Sequence, residues 1–478
     1  MRFDVAVIGA GAVGNAIAGK LAAYKLDIAV IEKEEDTAFG NSGRNSGVVH
    51  AGFNNKPGSL MAQLCVMGCQ GFPKVASDLG IEFRKTGKLV MALREEDIPP
   101  LVRLYEQGLA NGVQGLAIVG PREIKEINGN FNGVRGLWSE MTGVFDPFAY
   151  TAALAEHAAE NGVRFFFGKQ VTEISGGAGD FRIKAGDPAI GIEARWVINS
   201  AGLYADEICR LVGIDDYVIH PCRGEYHILD QKLGRHLNVP VYPVPNDRMG
   251  GLGVHLTPQL AGNIMIGPSA EYIGDKDDFA DEAAVMDQLI AEGRELIPFI
   301  EKRHIIKSFS GIRPKLTSAK QGGFADFVIE ESEKAGRFIV LAGIESPGLT
   351  CAVPIAEKVK DIIAGKEALI RRDDYRPKRS GPRSIDGLNP EKGCNIICRC
   401  EKISERQILD AFDRIVAIGA IPTMKGIRNR TRAGMGRCQG GFCAIRIVEL
   451  LEKKRGIDPL RFCWNGPESM MFAGRTRP

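Results

Sequence analysis

The sequence predicts an α/β protein: a Rossmann-like nucleotide-binding domain with an inserted mixed-sheet substrate domain, followed by a small, mainly helical C-terminal domain gathered around cysteines. Three observations predict it. The chain opens with an apolar strand, a Gly-x-Gly-x-x-Gly turn, an Ala-rich helix and a second strand that ends in an acid. Two later apolar runs, 196–202 and 338–343, each stop at a glycine, as strands returning to the same sheet do. Close to the C-terminus, Cys398 and Cys400, then Cys438 and Cys443, form two closely spaced pairs.

The opening unit is the most explicit. Phe3-Asp-Val-Ala-Val-Ile8 reads as a buried parallel strand, and Gly9, Ala10, Gly11 and Gly14 come directly after it. The first glycine makes the tight turn, the second lets backbone N–H groups meet a pyrophosphate, and the third packs helix on strand. Asp27-Ile-Ala-Val-Ile31 is the second strand, and Glu32 after it stands where a carboxylate takes ribose hydroxyls, with Lys33 beside it.

The choice between cofactors rests on the segments beyond the second strand. The small, polar run from Gly40 to Gly52 contains Ser42, Asn45, Ser46, Gly47 and His50, and suits a chain threading beside a large cofactor. Val171, the strand end at Ala201 and Gly202, and Gly311 are further candidate contacts. Strand 338–343 leads through Pro347 into a helix over 349–363, whose start at Gly348, Leu349 and Thr350 offers N–H groups and a positive dipole to an anion. Reduced flavin is anionic along one edge, and three interleaved returns to one sheet describe an FAD protein better than a nicotinamide one.

Composition sets the bounds. The 478 residues suit two or three domains, and 44% hydrophobic with 25% charged residues is ordinary globular composition. A net charge of +2 gives no general electrostatic case for nucleic acid or an anionic membrane. No apolar run approaches the roughly 18 residues of a bilayer span. An odd total of 11 cysteines and a strand that begins at once after Met1 argue against a disulfide scaffold and a leader, so the expected compartment is reducing and cytoplasmic.

The expected arrangement is a unit over 1–367, with nucleotide-binding segments at about 1–84, 145–215 and 338–367 and substrate-domain segments at about 85–144 and 216–337. Strands over 86–93, 220–229, 263–267 and 304–310, with a helix over 148–161, form the roof of a substrate pocket. His50 and His255 are candidate proton acceptors, the latter amid Gly250, Gly251 and Gly253; in each case the alternative is an ordinary hydrogen-bonded histidine. Arg313, in an expected Gly311/Pro314 turn, offers a fixed fork to a phosphate or carboxylate, with Lys315 as a second positive charge.

A charged linker with Pro and Gly is expected over 368–392, and the cysteine domain over 393–478, with helices over 404–417 and after Cys443. Thiolates at i and i+2 of an extended segment point the same way, and Gly440 and Gly441 let backbone approach inorganic sulfide. Four thiolates suit a [2Fe-2S] cluster; a structural zinc is the alternative. Arg428, Arg430, Arg432 and Arg437 read as a solvated face, or as charges that offset the cluster and dock an acidic partner.

These residues resemble the FAD-dependent D-amino-acid-oxidase-like superfamily. Within it, Asn45-Ser-Gly-Val-Val-His50, Ser310-Gly-Ile-Arg313-Pro and Pro347-Gly-Leu-Thr are similar to anaerobic-type glycerol-3-phosphate dehydrogenase large subunits and their L-2-hydroxyglutarate dehydrogenase relatives. Arg313-Pro314 leans to the first branch, and Gly253-Val-His255-Leu-Thr with Gly267-Pro-Ser and Ser346-Pro347 to the second. Residues 394–445 resemble bacterioferritin-associated ferredoxins. The resemblance implies an FAD-dependent dehydrogenase of a small anionic 2-hydroxy compound, sn-glycerol 3-phosphate first and L-2-hydroxyglutarate second, with an amine or amino-acid oxidase and a purely electron-carrying module as rivals. It implies electrons leaving through a [2Fe-2S] cluster to a second redox subunit, NAD(P)H- or quinone-linked, through which any membrane contact would be made.

Overall fold

The computed structural model describes residues 1–245, 253–380 and 394–474; Gly250 and Gly251 of the expected glycine-rich loop, the latter part of the expected linker and the last residues lie outside them. Strand Arg2–Ile8 lies at the centre of an eight-stranded sheet. It pairs in parallel with Ile28–Ile31 on one side and with Ile190–Asn199 on the other, and Phe338–Ala342 continues the parallel run. These strands are buried on both faces, which is why they read as unbroken apolar runs rather than alternating ones. The returns expected at 196–202 and 338–343 therefore do belong to the opening sheet. Strand Val328–Glu331 belongs to it as well, pairing antiparallel with Phe338–Ala342. That moves the expected border at 338 upstream: a short hairpin, not a crossover, links the two strands.

A second, nine-stranded mixed sheet holds Lys88–Ala92, His220–Leu229, His255–Pro258, Ile264–Gly267 and Ile305–Lys315. The last of these pairs with His220–Leu229 along almost its full length, Cys222 opposite Arg313. Arg313 is thus on a strand and not in a Gly/Pro turn, a correction with a simple cause. Pro314 sits opposite Pro221, whose carbonyl accepts from Ile273 N on the other side, so the two prolines form a pair that needs no ladder bond between them. Helix Pro147–Glu160 packs against helices Ala12–Leu21, Leu60–Leu79 and Met424–Thr431, is buried nearly all round and is capped by Asp146, whose side chain accepts from Phe148 N and Ala149 N.

The C-terminal unit has helices Glu405–Ala417, Met424–Thr431 and Ala444–Arg455 and a small ribbon, Ile396–Cys398 with Ile403–Ser404. It packs against the opening unit. Its Ile415, Ile427 and Leu451 share one continuous apolar cluster with Val30, Leu154 and Ile17 of the opening unit. Residues 370–379 are themselves strapped down: Lys25 N donates to Ile370 O and Arg372 N to Ala23 O, and Arg379 reaches Glu156 at 2.9 Å.

Of the four arginines expected as an open face, Arg430, Arg432 and Arg437 are paired with carboxylates; Arg428 has no such partner among the described residues. Arg430, with its side chain 1% exposed, makes a two-pronged pair with Asp36 and lies 3.5 Å from Glu156. Arg414 meets Glu156 at 2.9 Å, Arg432 meets Glu401 at 3.1 Å, and Arg437 bonds Asp230 at 2.7 Å. Buried charges need partners, so Arg430 and Arg414 fasten the cluster domain to the opening unit; the exposed Arg437 reaches Asp230 across the seam, and Arg432–Glu401 is a pair within the cluster domain.

Because Asp36 is left buried without a counter-charge, Arg430→Met should cost about 3–5 kcal/mol. The loss is read from the denaturation midpoint of the full-length protein. The double variant Asp36→Leu/Arg430→Met should recover most of it; a single variant as stable as the parent would show that the pair does not hold the seam.

Candidate active site and metal centre

The opening turn builds one end of a cavity of about 1290 Å³ that runs between the two sheets. Gly9 has φ +103°, and a Cβ on Gly14 would lie 2.0 Å from Gly9 O, so this turn closes only around glycine. Gly14 accordingly packs helix against strand and does not line the cavity, while Gly9, Ala10 and Gly11 do. Ser42 lines it too, its hydroxyl accepting from Ala12 N at 2.9 Å. Glu32 accepts from Ala10 N at 2.6 Å and Glu34 N at 3.0 Å, which fixes both of its oxygens at the cavity edge. Burial pushes its carboxyl up to about 7.

The threading segment is held by its own polar side chains. Asn45 donates to Asn41 O and Ser42 O and accepts from Gly47 N, and Asn41 accepts from Ile312 N at 3.0 Å. A Cβ on Gly311 would lie 2.2 Å from Arg44 O, so the segment and the second sheet meet backbone to backbone. Lys33, Asn45, Ser46, Val171, Ala201, Gly202, Gly311, Gly348, Leu349 and Thr350 all line the cavity; Gly47 does not, and instead makes the turn at φ +65° behind it. Helix Gly348–Ala364 starts at the cavity wall, with no side-chain cap on its first N–H groups.

His50, His255 and Arg313 reach this cavity from three separate parts of the chain. His255 stacks on Tyr242 with ring centroids 3.8 Å apart and planes within 10°. Its Nδ1 lies 3.1 Å from Gly253 O, a carbonyl that can only accept, so Nδ1 carries the proton and Nε2 the lone pair. That Nε2 is buried and has no hydrogen-bond partner among the described residues. Burial, with Lys88 and Arg313 adding to it, pushes the His255 imidazolium down to about 3. Burial also holds His50 well below its usual range, with Lys88 and His255 contributing. Arg313 donates to Ser269 O at 3.1 Å and has no carboxylate partner among the described residues.

Lys315 is a correction. It is fully buried, 3.1 Å from both oxygens of Glu345 and 2.9 Å from Gly323 O, and does not line the cavity. Adjacent strand residues point to opposite faces, but Lys315 lies two places from Arg313; Glu345 captures it first. Sequence reasoning missed Tyr242 and Lys88. Lys88 lies behind the two histidines against the rings of Phe53 and Tyr242, at 4.4 and 4.3 Å, and burial pushes its ammonium down to about 8. One signal could have found it, a single charge opening the apolar strand Lys88–Ala92.

At the C-terminal end the fold brings the cysteine pairs together. Cys398 Sγ and Cys400 Sγ are 3.8 Å apart, as are Cys400 Sγ and Cys438 Sγ. Yet among the described residues no three of the thiols lie within 4.8 Å of one another. A single tetrahedral ion with metal–sulfur bonds of about 2.3 Å would need every sulfur pair about 3.8 Å apart. The open quadrilateral fits a binuclear cluster. Cys398 and Cys443 are buried and Cys438 is exposed, so one edge of the centre reaches the surface.

Residues 4–362 match the family model described as FAD dependent oxidoreductase, and residues 396–453 match the BFD-like [2Fe-2S] binding domain. A glycerol 3-phosphate dehydrogenase from Caloramator mitchellensis is 34% identical, with 99% of each chain covered. The mitochondrial L-2-hydroxyglutarate dehydrogenase of Nematostella vectensis is 30% identical over 77% of this chain and 92% of its own. Among solved structures, the L-α-glycerophosphate oxidase of Mycoplasma pneumoniae, with FAD bound, superposes with a TM-score of 0.74 at 27% identity, over 79% of this chain and 98% of that one. FAD and a [2Fe-2S] cluster are therefore the cofactors that the two sites have to fit.

Ribose hydroxyls donate to an ionised Glu32, so protons compete with FAD wherever the free carboxyl is protonated. With that carboxyl at about 7, FAD affinity of the apoprotein should weaken as pH falls below 7 and level off above it. Glu32→Gln should bind FAD more weakly and flatten the pH dependence; fluorescence titration between about pH 5.5 and about pH 8.5 checks both. Anaerobically purified protein should carry two irons and two acid-labile sulfides per chain. Cys400→Ser or Cys438→Ser should lose them and keep FAD. Zinc in place of iron would refute the cluster.

Proposed function

The chain belongs to the FAD dependent oxidoreductase family and carries a BFD-like [2Fe-2S] binding domain, and from that premise we propose that it is a dehydrogenase of sn-glycerol 3-phosphate that hands electrons to a second redox protein. The observation that carries the substrate reading is Arg313, a guanidinium at the cavity with no acid beside it among the described residues, together with a buried, neutral His255. An anionic hydroxy compound supplies what each lacks: an anion for the arginine and a hydroxyl proton for the imidazole lone pair. The full-length similarity to a glycerol 3-phosphate dehydrogenase supports a phosphate over a second carboxylate. L-2-hydroxyglutarate remains the second reading, favoured by the relatives that carry that name.

In this reading Arg313 grips the phosphate and fixes the substrate end to end. His255 Nε2 accepts the hydroxyl proton, its tautomer set by Gly253 O and its ring held by Tyr242. His50 stands across the same space, its main-chain N–H tied to Thr350 Oγ1 at 3.1 Å, so the start of helix Gly348–Ala364 positions it. Burial first, then Lys88 at both rings and Arg313 at His255, opposes a positive charge on the imidazoles, which keeps both able to accept a proton at neutral pH. Bound FAD supplies a hydride acceptor and the cluster a one-electron outlet. The exposed Cys438 edge, flanked by exposed Arg399 and Arg446, replaces the Arg428–Arg437 face as the place where an acceptor docks.

The test is anaerobic flavin bleaching against sn-glycerol 3-phosphate, L-2-hydroxyglutarate and a set of amines. Glycerol 3-phosphate should bleach fastest. Arg313→Ala should cost about 2–4 kcal/mol in kcat/KM. His255→Asn should slow bleaching roughly 10²-fold or more, and the acid limb of the parent should lie below about pH 6.5 because a base with a depressed pKa stays unprotonated until then. Faster bleaching by L-2-hydroxyglutarate would overturn the substrate, and parent-like rates in both His255→Asn and His50→Asn would overturn the base. Arg399→Glu/Arg446→Glu should leave bleaching unchanged and slow only transfer to a protein acceptor at low salt.

A further inference from the structure

A second cavity, of about 520 Å³, opens where the C-terminal helices meet the substrate sheet. Its size falls in the range of small-ligand sites. Lys307, from strand Ile305–Lys315, and Arg428 and Asn429, from helix Met424–Thr431, line this cavity and not the first one. Arg44 and Lys425 stand on the wall that the two cavities share.

The charges here are unbalanced. Among the described residues neither Lys307 nor Arg428 has a carboxylate within salt-bridge distance or a hydrogen-bond acceptor, unlike Arg414, Arg430 and Arg432 on the same seam. Asn429 is 7% exposed, and its Nδ2 is buried with no partner. Arg44 leaves its Nε in the same condition. Two carboxylates do line the cavity, but Asp146 is engaged with the N–H groups of Phe148 and Ala149, and Asp410 lies on the exposed rim. Burial pushes the Lys307 ammonium down to about 7, and repulsion from Arg428, Arg44 and Lys425 adds to it, so these cations share one space.

An anion here would satisfy the unpartnered donors of Asn429 and Arg44 and relieve the repulsion among these half-buried cations. The cavity wall also carries the aromatic rings of Phe148, Phe309 and Trp464, Phe309 on the same strand as Lys307. A flat ring beside fixed cations is the chemistry of a nucleotide: a π face for the aromatic wall and a phosphate for the fork of Arg428. We propose that this cavity is a second ligand site, distinct from the FAD cleft, which takes a phosphate ester of mononucleotide size with its phosphate on Lys307, Arg428 and Asn429. Both units contribute to it, so the ligand also ties the cluster domain to the flavin unit.

The experiment is calorimetric titration of FAD-saturated holoprotein at constant ionic strength with inorganic phosphate, adenosine 5′-monophosphate or flavin mononucleotide. A mononucleotide should bind saturably, one per chain, at least tenfold more tightly than phosphate, and should raise the melting temperature. Lys307→Gln/Arg428→Gln should weaken that binding at least tenfold with FAD and iron contents at parent levels; Lys307→Met alone should weaken it less. No saturable binding of any probe to the parent protein would overturn the site. Phosphate binding as tightly as either mononucleotide would overturn the ring-binding wall, and affinity indifferent to the substitutions would overturn the location.

Discussion

One buried carboxylate organises how the two halves of this molecule sit together. Glu156, on a helix that is itself almost wholly buried, receives Arg379 from the strap, Arg414 and Arg430 from the cluster domain. Asp36, from the loop after the second strand, takes the other side of Arg430. Each of these charges would be costly alone, and together they are tolerable only in one relative placement of the segments. The apolar cluster that runs through both units supplies the burial; the ion pairs decide its register.

That placement has a chemical consequence. Cys398 and Cys443 share one apolar cluster with Ala10 and Met61 of the flavin cleft, so the cluster domain and the flavin unit are packed as one body. Arg44 and Lys425 line both the first cavity and the second. They bring positive charge to the side of the first cavity, which suits a site for an anionic dinucleotide.

The substrate end depends on a different constraint, the denial of water and counter-charge to basic groups. His255 is 4% exposed and Lys88 2%, so both are strongly desolvated in their folded positions. Burial lowers the affinity of each for a proton, and each raises the cost of protonating the other's neighbours. A base that stays neutral at physiological pH and an arginine with no carboxylate partner among the described residues are complementary to the same molecule, a hydroxy compound that brings its own negative charge.

Local sequence determined whatever depends on backbone geometry within a short stretch. The Gly9–Gly14 turn, Glu32 at the end of the second strand, the start of helix Gly348–Ala364 and the two cysteine pairs were all legible, because glycine freedom, strand period and ligand spacing act over a few residues. The belonging of Val328–Glu331 to the first sheet, the extended setting of Arg313, the capture of Lys315 by Glu345 and the enclosure of Arg430 were not. Each is settled by a partner in another element, for Arg430 one that lies 394 positions away in the chain. A charged residue looks the same in sequence whether it faces solvent, a substrate or a buried acid. Only the tertiary structure decides which, because the cost of leaving a charge unpaired depends on how much water the fold removes from around it.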